Sequence, residues 1–166
     1  MIPQRYVRAY AKAKGLDDHR WMKTLKRADL LDLINDLRPR PKLWPNMRNH
    51  QLVAFYLGVA HGFDEEARTG GGFSYWLDMG SGKTLIALEL MKYWRQCGVM
   101  DRGLVFTLSD KAYPTWERQI KRFKIGLPFT TLEGSSAEKW ATLSAFKTGI
   151  VLCSYPGAVH MVSYKQ

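Results

Sequence analysis

Cysteine is scarce in this chain: Cys97 and Cys153 are the only two among 166 residues. Two thiols so far apart give no disulfide framework, and with four scattered histidines no zinc spacing can be assembled, so both are read as reduced core thiols. Long apolar runs are missing too. The longest, Leu52 to Ala60, is too short for a bilayer-spanning helix, and the start Met1-Ile2-Pro3-Gln4-Arg5 has no apolar segment of the secretory kind. Together these features predict a cytoplasmic protein without a membrane partner. Acidic side chains are in deficit, fifteen against twenty-five Lys and Arg, for a net charge of +10. Such an excess calls for a polyanionic partner, with nucleic acid the first candidate. It is uneven: residues 1–50 hold twelve basic and five acidic side chains, whereas residues 51–166 hold thirteen and ten. The basic N-terminal region is therefore either a contact surface or a solvated helix face.

With 46% hydrophobic residues, the chain carries enough apolar material for a sizeable core. Helix formers fill residues 4–14, with Gly15 as a stop, and a second helix is expected over about 18–37, where Leu30, Leu33, Ile34 and Leu37 recur at helical spacing. Arg38-Pro39-Arg40-Pro41-Lys42 then interrupts helical structure twice. This divides the chain into a basic helical segment with its linker, residues 1–42, and a second part, residues 43–166. A further helix carries Leu52, Val53, Phe55, Tyr56 and Val59 and ends near Gly62, and the glycine-rich stretch 61–72 is a loop.

Beyond that loop the pattern alternates between strand and helix. Phe73, Tyr75 and Leu77 alternate with Ser74, Trp76 and Asp78 at the two-residue period of a strand. Leu85 to Tyr93 reads as a helix with a broad apolar face. Strands are expected at 103–108, 129–132 and 149–154, with helices entered after Ser109 and capped by Ser135 or Ser136. This alternation predicts an α/β fold with a parallel sheet and flanking helices, ligands lying at the carboxyl ends of the strands.

The chemistry concentrates in Asp78-Met79-Gly80-Ser81-Gly82-Lys83-Thr84, between the first expected strand and its helix. A Gly-x-Gly-Lys-Thr run in that setting is a phosphate-binding loop. Glycine at 80 and 82 lets backbone N–H groups approach a triphosphate that a Cβ would hold off. The following helix offers orphan N–H groups and its positive dipole end, Lys83 adds a point charge for the β and γ phosphates, and Thr84 supplies a hydroxyl for Mg2+. The competing reading is a flexible surface turn that happens to contain a lysine. One departure from the general pattern stands out: Leu77 occupies the position of its first glycine.

Leu77-Asp78-Met79-Gly80-Ser81-Gly82-Lys83-Thr84 instead resembles motif I of superfamily 2 helicases, in particular the Swi/Snf-type DNA-translocating ATPases and their phage relatives. Met47, Arg48, His50, Gln51 and Ala54 are similar to the signature that opens the first, RecA-like motor domain of that family. By this resemblance Gln51 would hydrogen-bond the adenine edge of ATP, with Arg48 nearby, and a side-chain amide has the donor and acceptor for it. Trp116 and Ile120 match the family's motif Ia, although Ser109, Lys111, Thr115 and Gln119 depart from it. Ser154-Tyr155 is similar to motif Ib. The resemblance implies DNA-backbone contacts at Ser109, Lys111, Ser154 and Tyr155, and a nucleotide site of Arg48, Gln51 and residues 78–84, with Lys83 and Thr84 catalytic and Thr84 on Mg2+.

Resemblance covers about residues 44–160, roughly the first half of a first motor domain. The second acidic motif that holds Mg2+ and the second motor domain have no counterpart here. On this reading the chain is the ATP-binding part of a DNA translocase, and hydrolysis belongs to a longer protein or needs a partner chain. The alternative is a short non-catalytic protein that binds nucleic acid or a partner through its basic N-terminal helices.

Overall fold

Leu30, Ile34 and Leu37 recur at helical spacing, and the structure buries all three. They lie on or just after helix α1 (Arg27–Asn35). The structure is a computed structural model that describes residues 26–62 and 77–163. Residues 4–25, with the first expected helix and the start of the second, fall outside this range, as do the loop beyond 62 and the expected strand residues Phe73 to Trp76. The chain divides into two units between Cys97 and Gly98.

In the first unit, α1 packs on α2 (Asn49–Gly62), and α2 packs on α3 (Lys83–Gln96). Arg27 secures the first pairing, since its guanidinium donates to the Met47 carbonyl at 2.7 Å and to Asn49 Oδ1 at 3.3 Å at the entry to α2. Phe55 of α2 meets Tyr93 of α3 edge to face, ring centroids 5.7 Å apart, the arrangement that ring quadrupoles favour. Helix α3 buries Leu85, Ile86, Leu88, Leu90 and Tyr93. It ends where Gly98 takes a φ of +71°, the left-handed turn that stops helices. The Arg38–Lys42 segment, expected as a boundary, lies inside this unit.

Residues of the second unit form a three-stranded parallel sheet in the order β1-β3-β2, with β1 at Arg102–Thr107, β2 at Phe129–Thr131 and β3 at Gly149–Ser154. The central strand β3 is buried along its whole length, as an apolar run bounded by turns should be. Thr107 pairs in register with Ser154, so the turns after β1 and β3 leave the sheet side by side. Helix α4 (Tyr113–Arg122) follows a short 3-10 turn at Asp110–Ala112 and carries Pro114 in its first turn. Helix α5 (Ser136–Ala145) follows β2, and α6 (Tyr155–Ser163) follows β3 directly. Leu132, Val151, Cys153 and Met161 form a core against Trp140, Leu143, Phe146 and Ala158. The described residues are thus mixed α/β with a parallel sheet flanked by helices. Among them, no helix is long and apolar enough to cross a membrane.

Candidate phosphate-loop site

Two left-handed glycines shape the loop that enters α3. Gly80 has a φ of +76° and Gly82 a φ of +87°, conformations that a residue with a Cβ adopts only under strain. Gly82 is the N-cap of α3, and its carbonyl accepts the first helical bond from the Ile86 N–H at 3.2 Å. The N–H groups of the first turn therefore lack helical acceptors, as at any helix start. The Ser81 N–H closes a turn onto the Asp78 carbonyl at 3.2 Å.

Lys83 folds back over this turn. Its ammonium donates to the Leu77 carbonyl at 2.7 Å and to the Asp78 carbonyl at 2.9 Å, so the loop holds its own cation at its mouth. Asp78, Met79, Gly80 and Lys83 are exposed, Met79 almost completely. Thr84 is half-buried in the first turn of α3.

The first turn of α2 grips the same loop from the other side. Gln51 is buried, and its Nε2 donates to the Ser81 carbonyl at 2.9 Å while its Oε1 accepts from the Arg48 N–H at 2.8 Å. A Cβ on Gly82 would collide with the Gln51 amide nitrogen, so the second glycine is required by this contact as well as by its φ. His50 Nε2 also reaches the Ser81 carbonyl, at 2.9 Å. Arg48 itself is exposed at the edge of the turn. Of the residues expected at a nucleotide site, the structure therefore brings Gln51 onto the loop, through Ser81, and keeps Arg48 on the same turn as Gln51.

Glu89 is a buried carboxylate one helical turn further along α3. Its Oε1 accepts from the Trp44 N–H at 3.2 Å, and its Oε2 pairs with the Lys92 ammonium at 2.6 Å. Burial lifts the Glu89 carboxyl above the usual glutamate range, against the opposing pull of Lys92 and the Trp44 N–H. It ties the segment ahead of α2 to the helix that follows the loop. Sequence reasoning missed this tie, although a lone acid among Leu85, Leu88 and Leu90 was a usable signal.

In the second unit, Ser109 and Lys111 are exposed in the turn after β1, and the Ser109 carbonyl accepts from the Thr107 hydroxyl at 3.0 Å. Ser154 has another setting: it is buried, its N–H donates to the Tyr113 hydroxyl at 2.7 Å, and its Oγ accepts from the Gly157 N–H at 3.2 Å. That last bond caps α6. The Ser154 hydroxyl thus serves the fold, whereas Tyr155 stands out at the start of α6. Desolvation holds the Tyr113 hydroxyl above its ordinary titration range, so this anchor stays protonated.

No cluster of metal-ligating side chains occurs among the described residues. Compared with known proteins, the chain matches no family model and no curated sequence.

Proposed function

We propose that this chain is the ATP-binding portion of a superfamily 2, Swi/Snf-like DNA translocase, with residues 43–166 forming the first part of a RecA-like motor domain. The observation that carries this reading is the loop at 80–84, two left-handed glycines at a helix N-terminus with a lysine folded over them. Helix N-termini with free backbone N–H groups are anion sites, and a lysine at the mouth adds a charge suited to phosphate. The cradle fits the group in a second way. Ser81 Oγ is buried without a hydrogen-bond partner, an arrangement that favours an acceptor oxygen brought by a ligand.

Gly80, Ser81, Gly82, Lys83 and Thr84 would hold the phosphates, with the Thr84 hydroxyl toward Mg2+. Gln51 retains one N–H and one lone pair beyond its two bonds, enough for an adenine edge. ATP, when bound, supplies the phosphoryl group whose transfer drives translocation in the complete protein. Titration of the chain with ATP should show binding that Lys83→Ala abolishes. Equal affinity in the two proteins would remove the lysine from the site.

DNA is the proposed partner, bound without sequence preference through the basic N-terminal region, Lys111 and Tyr155. Affinity should then fall steeply with salt and vary little with sequence. Residues 1–42 cannot simply be deleted in such a test, because Leu30, Ile34 and Leu37 are core. Neutralising Arg5, Arg8, Lys12 and Lys14 together should flatten the salt dependence instead. An unchanged slope would assign those charges to solubility alone.

A further inference from the structure

We propose that His50 is a positioning residue of the phosphate loop, acting through the Ser81 carbonyl. This inference rests on the phosphate-binding reading above and adds to it a group with which that reading does nothing. The Ser81 carbonyl receives two side-chain contacts from adjacent residues of one helical turn, Gln51 Nε2 and His50 Nε2, both at 2.9 Å. A carbonyl oxygen is only an acceptor, so His50 holds it by carrying the hydrogen on Nε2. Both lone pairs of that oxygen are then occupied.

The consequence lies on the other side of the peptide bond. In a planar trans peptide the Ser81 carbonyl and the Gly82 N–H point in opposite directions. Pinning the carbonyl toward α2 therefore turns the Gly82 N–H away from α2. Without a pin that plane is easily rotated, because Gly82 imposes little restriction on its φ. Two donors on one oxygen fix the plane more firmly than one, and a prearranged donor binds an anion without first losing conformational freedom. Gln51 is the buried member of the pair and His50 the exposed one, so His50 can be changed with little effect on the core.

The test uses the full chain and two probes, MgATP and inorganic tripolyphosphate, which has no base. Removing one hydrogen bond of this kind should weaken binding by about three- to tenfold. His50→Ala is expected to weaken both probes by the same factor. His50→Gln, which places an N–H near the position of Nε2, should bring both back to within about twofold. His50→Phe, which keeps a ring and loses the donor, should behave like His50→Ala.

A loss confined to ATP and rescued by His50→Phe would make His50 a base-stacking group and overturn the proposal. No change in His50→Ala, alongside complete loss in Lys83→Ala, would also overturn it while leaving the phosphate site standing. Failure of the wild-type chain to bind either probe would overturn the site and the proposal together.

Discussion

Gly80 and Gly82 share a backbone conformation but not an environment, and the difference predicts unequal variants. A Cβ at Gly80 meets nothing within 4 Å, whereas one at Gly82 meets the Gln51 amide. In folding stability Gly80→Ala should therefore carry only the cost of a left-handed alanine, about 1–2 kcal/mol, and Gly80→Asn less, because asparagine tolerates that region. Gly82→Ala must in addition push Gln51 off the Ser81 carbonyl. Its phosphate affinity should fall at least about tenfold further than that of Gly80→Ala, from the loss of a hydrogen bond and of loop order. Similar affinities for the two alanine variants in a titration would show that the Gln51 contact does not shape the loop. The need for glycine at both positions was legible in the sequence from the motif. The resemblance implied a site shared by Gln51 and the loop, but that Gln51 and His50 both hold the Ser81 carbonyl, some thirty residues away along the chain, was not legible, since no local pattern specifies a side-chain bond between distant positions.

Helix α5 shows how local chemistry made an element readable. Ser135 caps it, accepting from the Glu138 N–H at 3.3 Å, while the Glu138 carboxylate accepts from the Ser135 N–H and hydroxyl, both at 2.7 Å. This is a reciprocal capping box, visible in the sequence as Ser-x-x-Glu ahead of a helical stretch. Ser135→Ala should destabilise the chain by about 1 kcal/mol, measured by urea denaturation at pH 7. The Ser135 hydrogen bonds hold the Glu138 carboxyl below the ordinary glutamate range. A depressed carboxyl contributes stability above its unfolded value and loses it as pH falls through the folded one. The gap between wild type and Ser135→Ala should therefore narrow in acid, below about pH 4.5, and a constant gap would separate the cap from the carboxylate. Helix α6 was harder to read. Ser154 and Pro156 at its start are helix-entry signals, but after an apolar strand the same residues also read as an extended turn. In the structure the chain turns helical at once over Tyr155–Ser163, with the Gly157 N–H on Ser154 Oγ capping the start.

Across the molecule, the apolar patterns reported the architecture well. The β1 and β3 strands fell within one residue of their expected ranges, and parallel pairing followed from the intervening helices. The sheet order β1-β3-β2 could not be read, because strands that are neighbours in the sequence need not be neighbours in the sheet when helices connect them. The Pro-rich Arg38–Lys42 segment lies within the first unit. Arg27 bridges α1 to the entry of α2, and composition reports chain breaks more directly than side-chain bonds formed across them. The central claim, that residues 80–84 form a phosphate cradle, can be tested at the atoms that would do the binding. In nitrogen–proton correlation spectra of the labelled chain, adding MgATP should shift the backbone amides of Gly80, Ser81, Gly82, Lys83 and Thr84 most, with the Gln51 side-chain amide following. Lys83→Ala should abolish these shifts. Amides of the loop that stay fixed at saturating nucleotide, or shifts centred elsewhere in the chain, would contradict the account.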